Sequence, residues 1–298
     1  MSDSTAVPDD PMSSTAAVGL GAVGWHHRHL LDVDTLSWRE IELVLRTADS
    51  MREVLARPIA RVPALRGTNV TILFYEASTR TRVSFEVAAK NLSADVVNVA
   101  VASSSVAKGE SLVDTVRTLE ALGARMLVIR HATSGAPWLA AEHFGGSVVN
   151  GGDGWHAHPT QALLDLFTVR GALGVAPSAG PPTAGPPTAG PPTAGPPSAA
   201  DGRFLAGRKV VILGDVLHSR VARSNIWTLA AAGADLWLCG PATLLRGFEA
   251  WARSGVGGRL DRRFTVTADV DAALRDADLV MVLRIQGERM AAGLLPSL

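Results

Sequence analysis

Apolar and polar positions recur along the chain in two patterns, and both patterns predict regular structure. Short, nearly continuous apolar runs such as 69–74 (NVTILF) and 126–130 (MLVIR) are typical of strands buried on both faces. Between them lie longer segments whose apolar residues recur at helical spacing. Because these strands and helices alternate, we expect an α/β protein with two doubly wound domains, each with a central parallel sheet flanked by helices.

The first helix has a clear start signal. Ser37 followed by Glu40 is a capping-box sequence, and an apolar periodic segment comes directly after it. This helix is predicted within residues 34–56. Later helices are predicted at 78–91, 111–123, 137–145, 159–174, 221–233, 242–255 and 269–277.

A low-complexity segment divides the chain. Residues 178–197 are four copies of a five-residue unit, (S/T)AGPP, whose prolines oppose helix formation and whose glycines oppose ordering. The first residues lack the basic start and apolar core of a signal peptide, so a disordered leader is expected. The predicted organisation is a leader at 1–28, a first domain at 29–174, a linker insertion at 175–205 and a second domain at 206–298.

Polar clusters follow five of the predicted strands. In open parallel sheets, ligands bind at the carboxyl ends of the strands, so these clusters should meet at one rim. The clusters are 78–82, 130–131, 150–161, 215–220 and 284–286.

Charge and composition narrow the range of possible partners and cofactors. Lys plus Arg and Asp plus Glu both number 28, so no overall field favours nucleic acid or an anionic membrane, and neither partner is expected. Cys239 is the only cysteine, which excludes an internal disulfide or a multi-cysteine zinc cluster within the 298 residues and fits a cytoplasmic protein. No metal or other cofactor is predicted, and the histidines near residue 25 are expected to have no specific role.

The run from Ser78 to Arg82, STRTR, points to an anion. At a strand-to-helix turn, hydroxyls and guanidinium groups add donors to the free N–H groups of a helix N-terminus. In the plainer alternative, one hydroxyl caps the helix and both arginines lie in solvent. That alternative leaves the remaining hydroxyls and the two arginines unexplained, so we favour an anion site.

The run resembles the carbamoyl-phosphate motif of the aspartate/ornithine carbamoyltransferase family. The likeness extends to SSSVAKGESLVDTVRTL, VIRH, HPTQALLD, GDVLHSRVARSN and RIQGERM, and it covers residue 29 to the end apart from the Pro-rich insertion. The cationic second site and the absence of a Cys-Leu-Pro sequence favour aspartate as the acceptor, not ornithine. The two domains would then bind carbamoyl phosphate and aspartate, respectively.

The resemblance implies roles for individual residues. It places the phosphate on Ser78, Thr79, Arg80 and Thr81, with Arg80 also stabilising the leaving charge. The carbonyl would be polarised by Thr81, Arg130 and His158, and Gln161 would accept from the carbamoyl nitrogen. Ser104 and Lys108 would come from a neighbouring subunit in a homotrimer with shared sites. Aspartate would be bound by Lys108, Arg220, Arg284 and Gln286.

Taken alone, His158 would be better explained as a histidine at the entry to a helix. Its spacing to Gln161 favours instead a helix face that the two residues share.

The family resemblance also implies a further C-terminal segment and partner subunits. Its members continue beyond the Arg-x-Gln segment, so the second domain is expected to be truncated at its C-terminus. Regulatory subunits or other subunits of pyrimidine synthesis are further partners that the family suggests. Two alternatives stay open: a carbamoyltransferase for another amino acid, and a truncated, non-catalytic homologue.

Overall fold

A computed structural model describes residues 24–99, 109–176, 202–258 and 264–286. The strands are β1 Asn69–Phe74, β2 Asp95–Val99, β3 Met126–His131, β4 Ser147–Asp153, β5 Lys209–Leu213, β6 Asp235–Cys239, β7 Thr265–Thr267 and β8 Leu279–Val282. The α-helices are α1 Trp38–Leu55, α2 Thr79–Asn91, α3 Leu112–Ala121, α4 Ala136–Glu142, α5 Pro159–Ala172, α6 Arg220–Ala231, α7 Phe248–Gly258 and α8 Val270–Leu274.

The first sheet is parallel and has the strand order β2-β1-β3-β4. Its strands alternate their side chains between the two faces, so successive apolar residues enter different cores. Ile72 packs with Ala89 of α2 on one face. Leu73 packs on the other face with Val116 of α3 and Ala140 of α4. Helices therefore cover both faces, as the apolar strands predict.

The second sheet is also parallel, with the order β7-β6-β5-β8. Ile212 of β5 packs with Ile226 of α6 on one face. Val211 packs with Ala273 of α8 on the opposite face. The predicted fold class, two doubly wound parallel sheets flanked by helices, is confirmed.

Strand order fixes where a ligand can bind. In the first sheet the chain moves to opposite sides of β1 when it forms β2 and β3, and in the second sheet β6 and β8 lie on opposite sides of β5. Such switch points open a crevice at the carboxyl ends of the strands. The loops after β1, β3, β5 and β8 border these two crevices.

One hydrophobic core joins the two halves. Ile41 and Leu45 of α1 and Leu166 of α5 lie in the same buried cluster as Val210 and Ile212 of the second sheet. Helices that precede the repeat in sequence thus pack on the domain that follows it. The division of the chain at the repeat does not coincide with a division of the core.

The flanks of the repeat meet away from the strand carboxyl ends. Ala176 and Gly202 line one cavity of about 320 Å³, together with Trp38 and Phe204. Leu205, within the predicted linker, is fully buried in the shared core. Since residue 202 leads into the amino end of β5, both flanks lie at the edge opposite the ligand crevice.

Residues 24–28, which we assigned to the leader, make defined contacts. The ring of His27 lies 2.8 Å from Oε1 of Glu40. Nearby, Nδ1 of His29 accepts a hydrogen bond from the backbone of Val148 at 3.1 Å. The expectation that these histidines have no specific role was therefore wrong for His27, which fastens this segment to α1, and for His29, which fastens the next residues of the chain to β4.

The prediction of one continuous helix at 242–255 was wrong. A 3-10 helix forms at Ala242–Leu244, and α7 begins only at Phe248. Gly247 between them has φ +89°, a left-handed conformation that glycine adopts without steric cost and that interrupts a helix.

We expect Ser37→Ala to lower the free energy of unfolding by about 1 kcal/mol, because it removes the cap of α1. In the capping box, Ser37 Oγ accepts from the Glu40 N–H at 3.3 Å, and Glu40 Oε2 accepts from the Ser37 N–H at 2.8 Å. Urea unfolding measures the change. Ser50→Ala, an exposed position inside the same helix, is the matched control, and equal destabilisation by both substitutions would contradict the capping role.

Candidate functional site

A cleft of about 870 Å³ opens at the carboxyl ends of both sheets. Its walls come from the loops after β1, β3, β4, β5 and β8, the five that the sequence places at one rim. The predicted site residues that line it are Ser78, Arg80, Thr81, Arg130, His158, Gln161, Arg220, Arg284 and Gln286. Thr79 lies on the neighbouring face of α2. Ser104 and Lys108 lie outside the described residues.

The N-terminus of α2 forms one wall of the cleft. Ser78 is the N-cap residue with an extended backbone, and its hydroxyl makes no hydrogen bond to the described backbone of α2. The first turn of this helix contains no acidic side chain. Unused N–H groups, the positive end of the helix dipole and the Arg80 side chain therefore face the same space, which suits an anion.

Glu76, which no sequence pattern singled out, binds two of the arginines through its carboxylate. Its Oε1 lies 2.5 Å from Nη2 of both Arg130 and Arg220, and its Oε2 lies 3.1 Å from Nη1 of Arg220. Arg130 and Arg220 are almost fully buried. Glu76 lies two residues before Ser78, the start of the STRTR motif, so an acid close to a run of cationic and hydroxyl residues was the available signal.

The two arginines determine the charge of Glu76. Burial alone would raise the pKa of this carboxyl, but the hydrogen bonds and charge of Arg220, together with Arg130, outweigh that effect and hold the pKa at about 2. Glu76 is therefore an anion at neutral pH. One carboxylate of the first domain thus compensates a guanidinium from each domain.

Gly152 provides the space for this arrangement. Arg130 donates to the carbonyl of Gly151 at 3.2 Å and Arg220 to that of Gly154 at 3.1 Å, on the two sides of residue 152. A Cβ at Gly152 would lie 3.0 Å from Nε of Arg220 and 3.2 Å from Nη1 of Arg130. Its φ of +113° also disfavours any residue with a side chain.

His158 is the N-cap residue of α5 and is buried. Its backbone N–H donates to Oγ of Ser224 on α6 at 2.9 Å, which ties the first domain to the second. Burial, and then the charges of Arg220 and Arg130, lower its pKa to about 3. The imidazole is therefore neutral at physiological pH and can donate a hydrogen bond without carrying charge.

Gln161 lies in the first turn of the same helix and faces the cleft. Its Nε2 donates to Oδ1 of Asp165, one turn further along, at 2.9 Å. His158 and Gln161 both line the cleft, and the backbone N–H of Gln161 donates to the carbonyl of His158 at 3.1 Å.

The second domain contributes the segment after β8. Gln286 donates its backbone N–H to the buried Asp215 at 3.0 Å, and Nη2 of Arg284 donates to Oε1 of Gln286 at 3.3 Å. Asp215 also accepts from His218, which orients the loop after β5. Arg284 therefore extends the positive wall formed by Arg80, Arg130 and Arg220.

The described residues contain no group of three or more histidine, cysteine, aspartate or glutamate side chains arranged to hold a metal ion. None of their helices combines the length and apolar character that crossing a bilayer demands.

Comparison with known proteins agrees with this geometry. Residues 28–171 match the model for the aspartate/ornithine carbamoyltransferase, carbamoyl-P binding domain. The aspartate carbamoyltransferase catalytic subunit of Roseiflexus sp. is 52% identical over 271 residues, which are 91% of this chain and 74% of that protein. The Dehalococcoides mccartyi subunit is 44% identical over 295 residues, 99% of this chain and 78% of that protein.

Solved structures give the same result. Aspartate transcarbamoylase from Trypanosoma cruzi in complex with carbamoyl phosphate has a TM-score of 0.68 at 25% identity, over 90% of this chain and 74% of that one. The catalytic subunit of the M. jannaschii enzyme has a TM-score of 0.64 at 30% identity, over 88% and 76% of the two chains. With its cationic cleft at two switch points and relatives about half identical over nine-tenths of its length, the chain belongs to the aspartate/ornithine carbamoyltransferase family.

Proposed function

We propose that this protein is the catalytic chain of an aspartate carbamoyltransferase. It transfers the carbamoyl group of carbamoyl phosphate to the α-amine of L-aspartate, giving N-carbamoyl-L-aspartate and phosphate for pyrimidine synthesis. The observation that carries the proposal is the cleft in which Arg80, Arg130, Arg220 and Arg284 surround a neutral His158. Such a site suits a phosphate, a dicarboxylate and a carbonyl between them.

The phosphate belongs at the N-terminus of α2. Ser78, Thr79 and Thr81 offer hydroxyls there, and Arg80 adds a guanidinium that stabilises charge on the departing phosphate. Ser78, Arg80 and Thr81 line the cleft, which supports a site whose dipoles need little reorganisation during the reaction.

The carbonyl lies between Arg130 and His158, with Thr81 as a third donor. When the amine attacks the carbonyl carbon, a C–N bond forms and the carbonyl oxygen becomes negative. Collapse of the tetrahedral intermediate then breaks the C–O bond to phosphate, and the amine loses a proton. No covalent bond to the protein is required, because orientation and charge stabilisation account for the catalysis.

Aspartate belongs against the second domain. Arg220, Arg284 and Gln286 line that side of the cleft, and guanidinium groups suit its two carboxylates. Glu76 fixes the direction of Arg220 at the domain boundary. Ser104 and Lys108 complete the site from a neighbouring subunit in a cytoplasmic homotrimer, and association with regulatory or other pyrimidine-pathway subunits belongs to the same proposal.

The direct test compares acceptors. Purified chain is assayed for carbamoylation of aspartate, ornithine and related amines, and a longer form that includes any downstream coding sequence is assayed beside it. Formation of N-carbamoyl-aspartate supports the proposal. Preference for another amine indicates a different carbamoyltransferase, and a folded protein that binds carbamoyl phosphate without turnover indicates a non-catalytic homologue.

Arg80→Ala should lower kcat by about 100-fold or more, because it removes a charge aimed at the leaving phosphate. Calorimetry with carbamoyl phosphate should show weaker binding as well. Arg82→Ala is the matched control, since Arg82 is exposed on the same helix but does not line the cleft. Similar losses in both variants would contradict the assignment.

Arg284→Ala should raise the KM for aspartate about 10- to 100-fold, the range expected for loss of a charge-assisted hydrogen bond. The affinity for carbamoyl phosphate should stay unchanged in calorimetry. Arg246→Ala, at an exposed position of the same domain, serves as the control. Equal weakening of both substrates would remove Arg284 from the aspartate side.

The pKa of His158 predicts a pH dependence of stability. Between pH 6.5 and about 3 the unfolded chain binds a proton here that the folded chain does not, so stability falls as pH falls. The slope from this residue reaches about 1.4 kcal/mol per pH unit. His158→Gln should therefore show a smaller loss of stability than wild type between about pH 7.5 and pH 5 in urea unfolding. The same loss in both proteins would contradict a neutral, buried imidazole.

A further inference from the structure

Gln161 can contact a ligand through either end of its amide, and the two ends are chemically opposite. The oxygen accepts hydrogen bonds, whereas the nitrogen donates them. Rotation about the last side-chain bond exchanges the two ends. The recognition chemistry of this position therefore depends on what holds the amide.

Asp165 supplies that constraint. Its carboxylate can only accept hydrogen bonds, and it accepts from Nε2 of Gln161 at 2.9 Å. A flipped amide would place oxygen against oxygen. With its nitrogen committed to Asp165, Gln161 presents Oε1 as the acceptor at the cleft.

The carboxylate is itself fixed by the second domain. Its Oδ2 accepts from Nδ2 of Asn225 on α6 at 2.8 Å. Asn225 is fully buried, and its nitrogen also donates to the carbonyl of Val221 at 3.0 Å. The Oδ1 of Asn225 has no hydrogen-bond partner in the described part of the chain, so the orientation of this amide follows its donor end.

We propose that Asp165 is a positioning residue that makes the site selective for a carbamoyl group over other acyl groups on phosphate. The inference rests on the proposed function, in which Gln161 meets the carbamoyl nitrogen. An N–H of that nitrogen satisfies Oε1 of Gln161, whereas the methyl group of acetyl phosphate would leave the oxygen unpaired. Sites built around such a hydrogen bond discriminate strongly against analogues that lack it.

The test measures the ratio of the dissociation constants of acetyl phosphate and carbamoyl phosphate, by calorimetry on the full chain. Asp165→Asn keeps the shape but lets the side chain donate, which frees the amide of Gln161 to turn. The ratio should fall at least tenfold, mainly through weaker carbamoyl phosphate binding. Thr168→Ala, exposed on the same helix, is the control and should leave the ratio at the wild-type value.

A double variant, Gln161→Glu with Asp165→Asn, exchanges the amide and the carboxylate between the two positions. The new amide at position 165 would donate to one oxygen of the new carboxylate at position 161, and the other oxygen would again face the cleft as an acceptor. The added charge near the ligand weakens both acyl phosphates, so the ratio isolates the recognition of N–H. Recovery of the ratio towards wild type supports positioning by polarity, and it can be measured even if Asp165→Asn alone does not fold.

The outcomes separate this inference from the function itself. If wild-type protein binds no carbamoyl phosphate, the proposed function fails. If wild type prefers carbamoyl phosphate and Asp165→Asn keeps the same ratio, only the role of Asp165 is overturned. Failure of the double variant to recover the ratio overturns it as well.

Discussion

The site depends on a single carboxylate, Glu76, that forms ion pairs with two buried guanidinium groups. Without Glu76, Arg130 and Arg220 would be like charges a few ångströms apart in a poorly solvated wall, and an unpaired buried charge is strongly destabilising. Because the arginines come from different domains, the same ion pairs also fix how the two halves of the cleft face each other. Gly152 belongs to this unit, since only a residue without a side chain lets both guanidinium groups reach the loop.

Helices α5 and α6 contribute apolar residues to the core and polar residues to the cleft. Leu166 of α5 and Ile226 of α6 are buried in the same core. Two hydrogen bonds, from His158 to Ser224 and from Asn225 to Asp165, join the polar faces of the two helices. His158 is therefore held directly by a residue of the other domain, and Gln161 is held indirectly, through Asp165. A small displacement of either helix would disturb the proton state of His158 and the direction of Gln161 together.

The sequence predicts the strands and the rim well because both follow from local pattern. Apolar runs mark strands buried on both faces, and strand polarity then places the following loops together. The pairing of Glu76 could not be read this way, since its partners lie 54 and 144 positions further along the chain. The shared core of Ile41, Leu166 and Ile212 was hidden for the same reason: burial depends on tertiary contacts that cross the repeat. Gly247 shows a local limit, because glycine within an apolar periodic stretch is compatible with both a continuous helix and a break.

The cavity where Ala176 and Gly202 meet lies behind the second sheet, at the amino end of β5, whereas the substrates enter at the carboxyl ends. Extra chain length between two such anchors carries little entropic penalty. We therefore expect inserted chain to be tolerated at this position, whether it arises in evolution or by engineering. A reporter domain or an affinity handle grafted between these anchors would project from the back of the molecule and leave the path of the substrates clear.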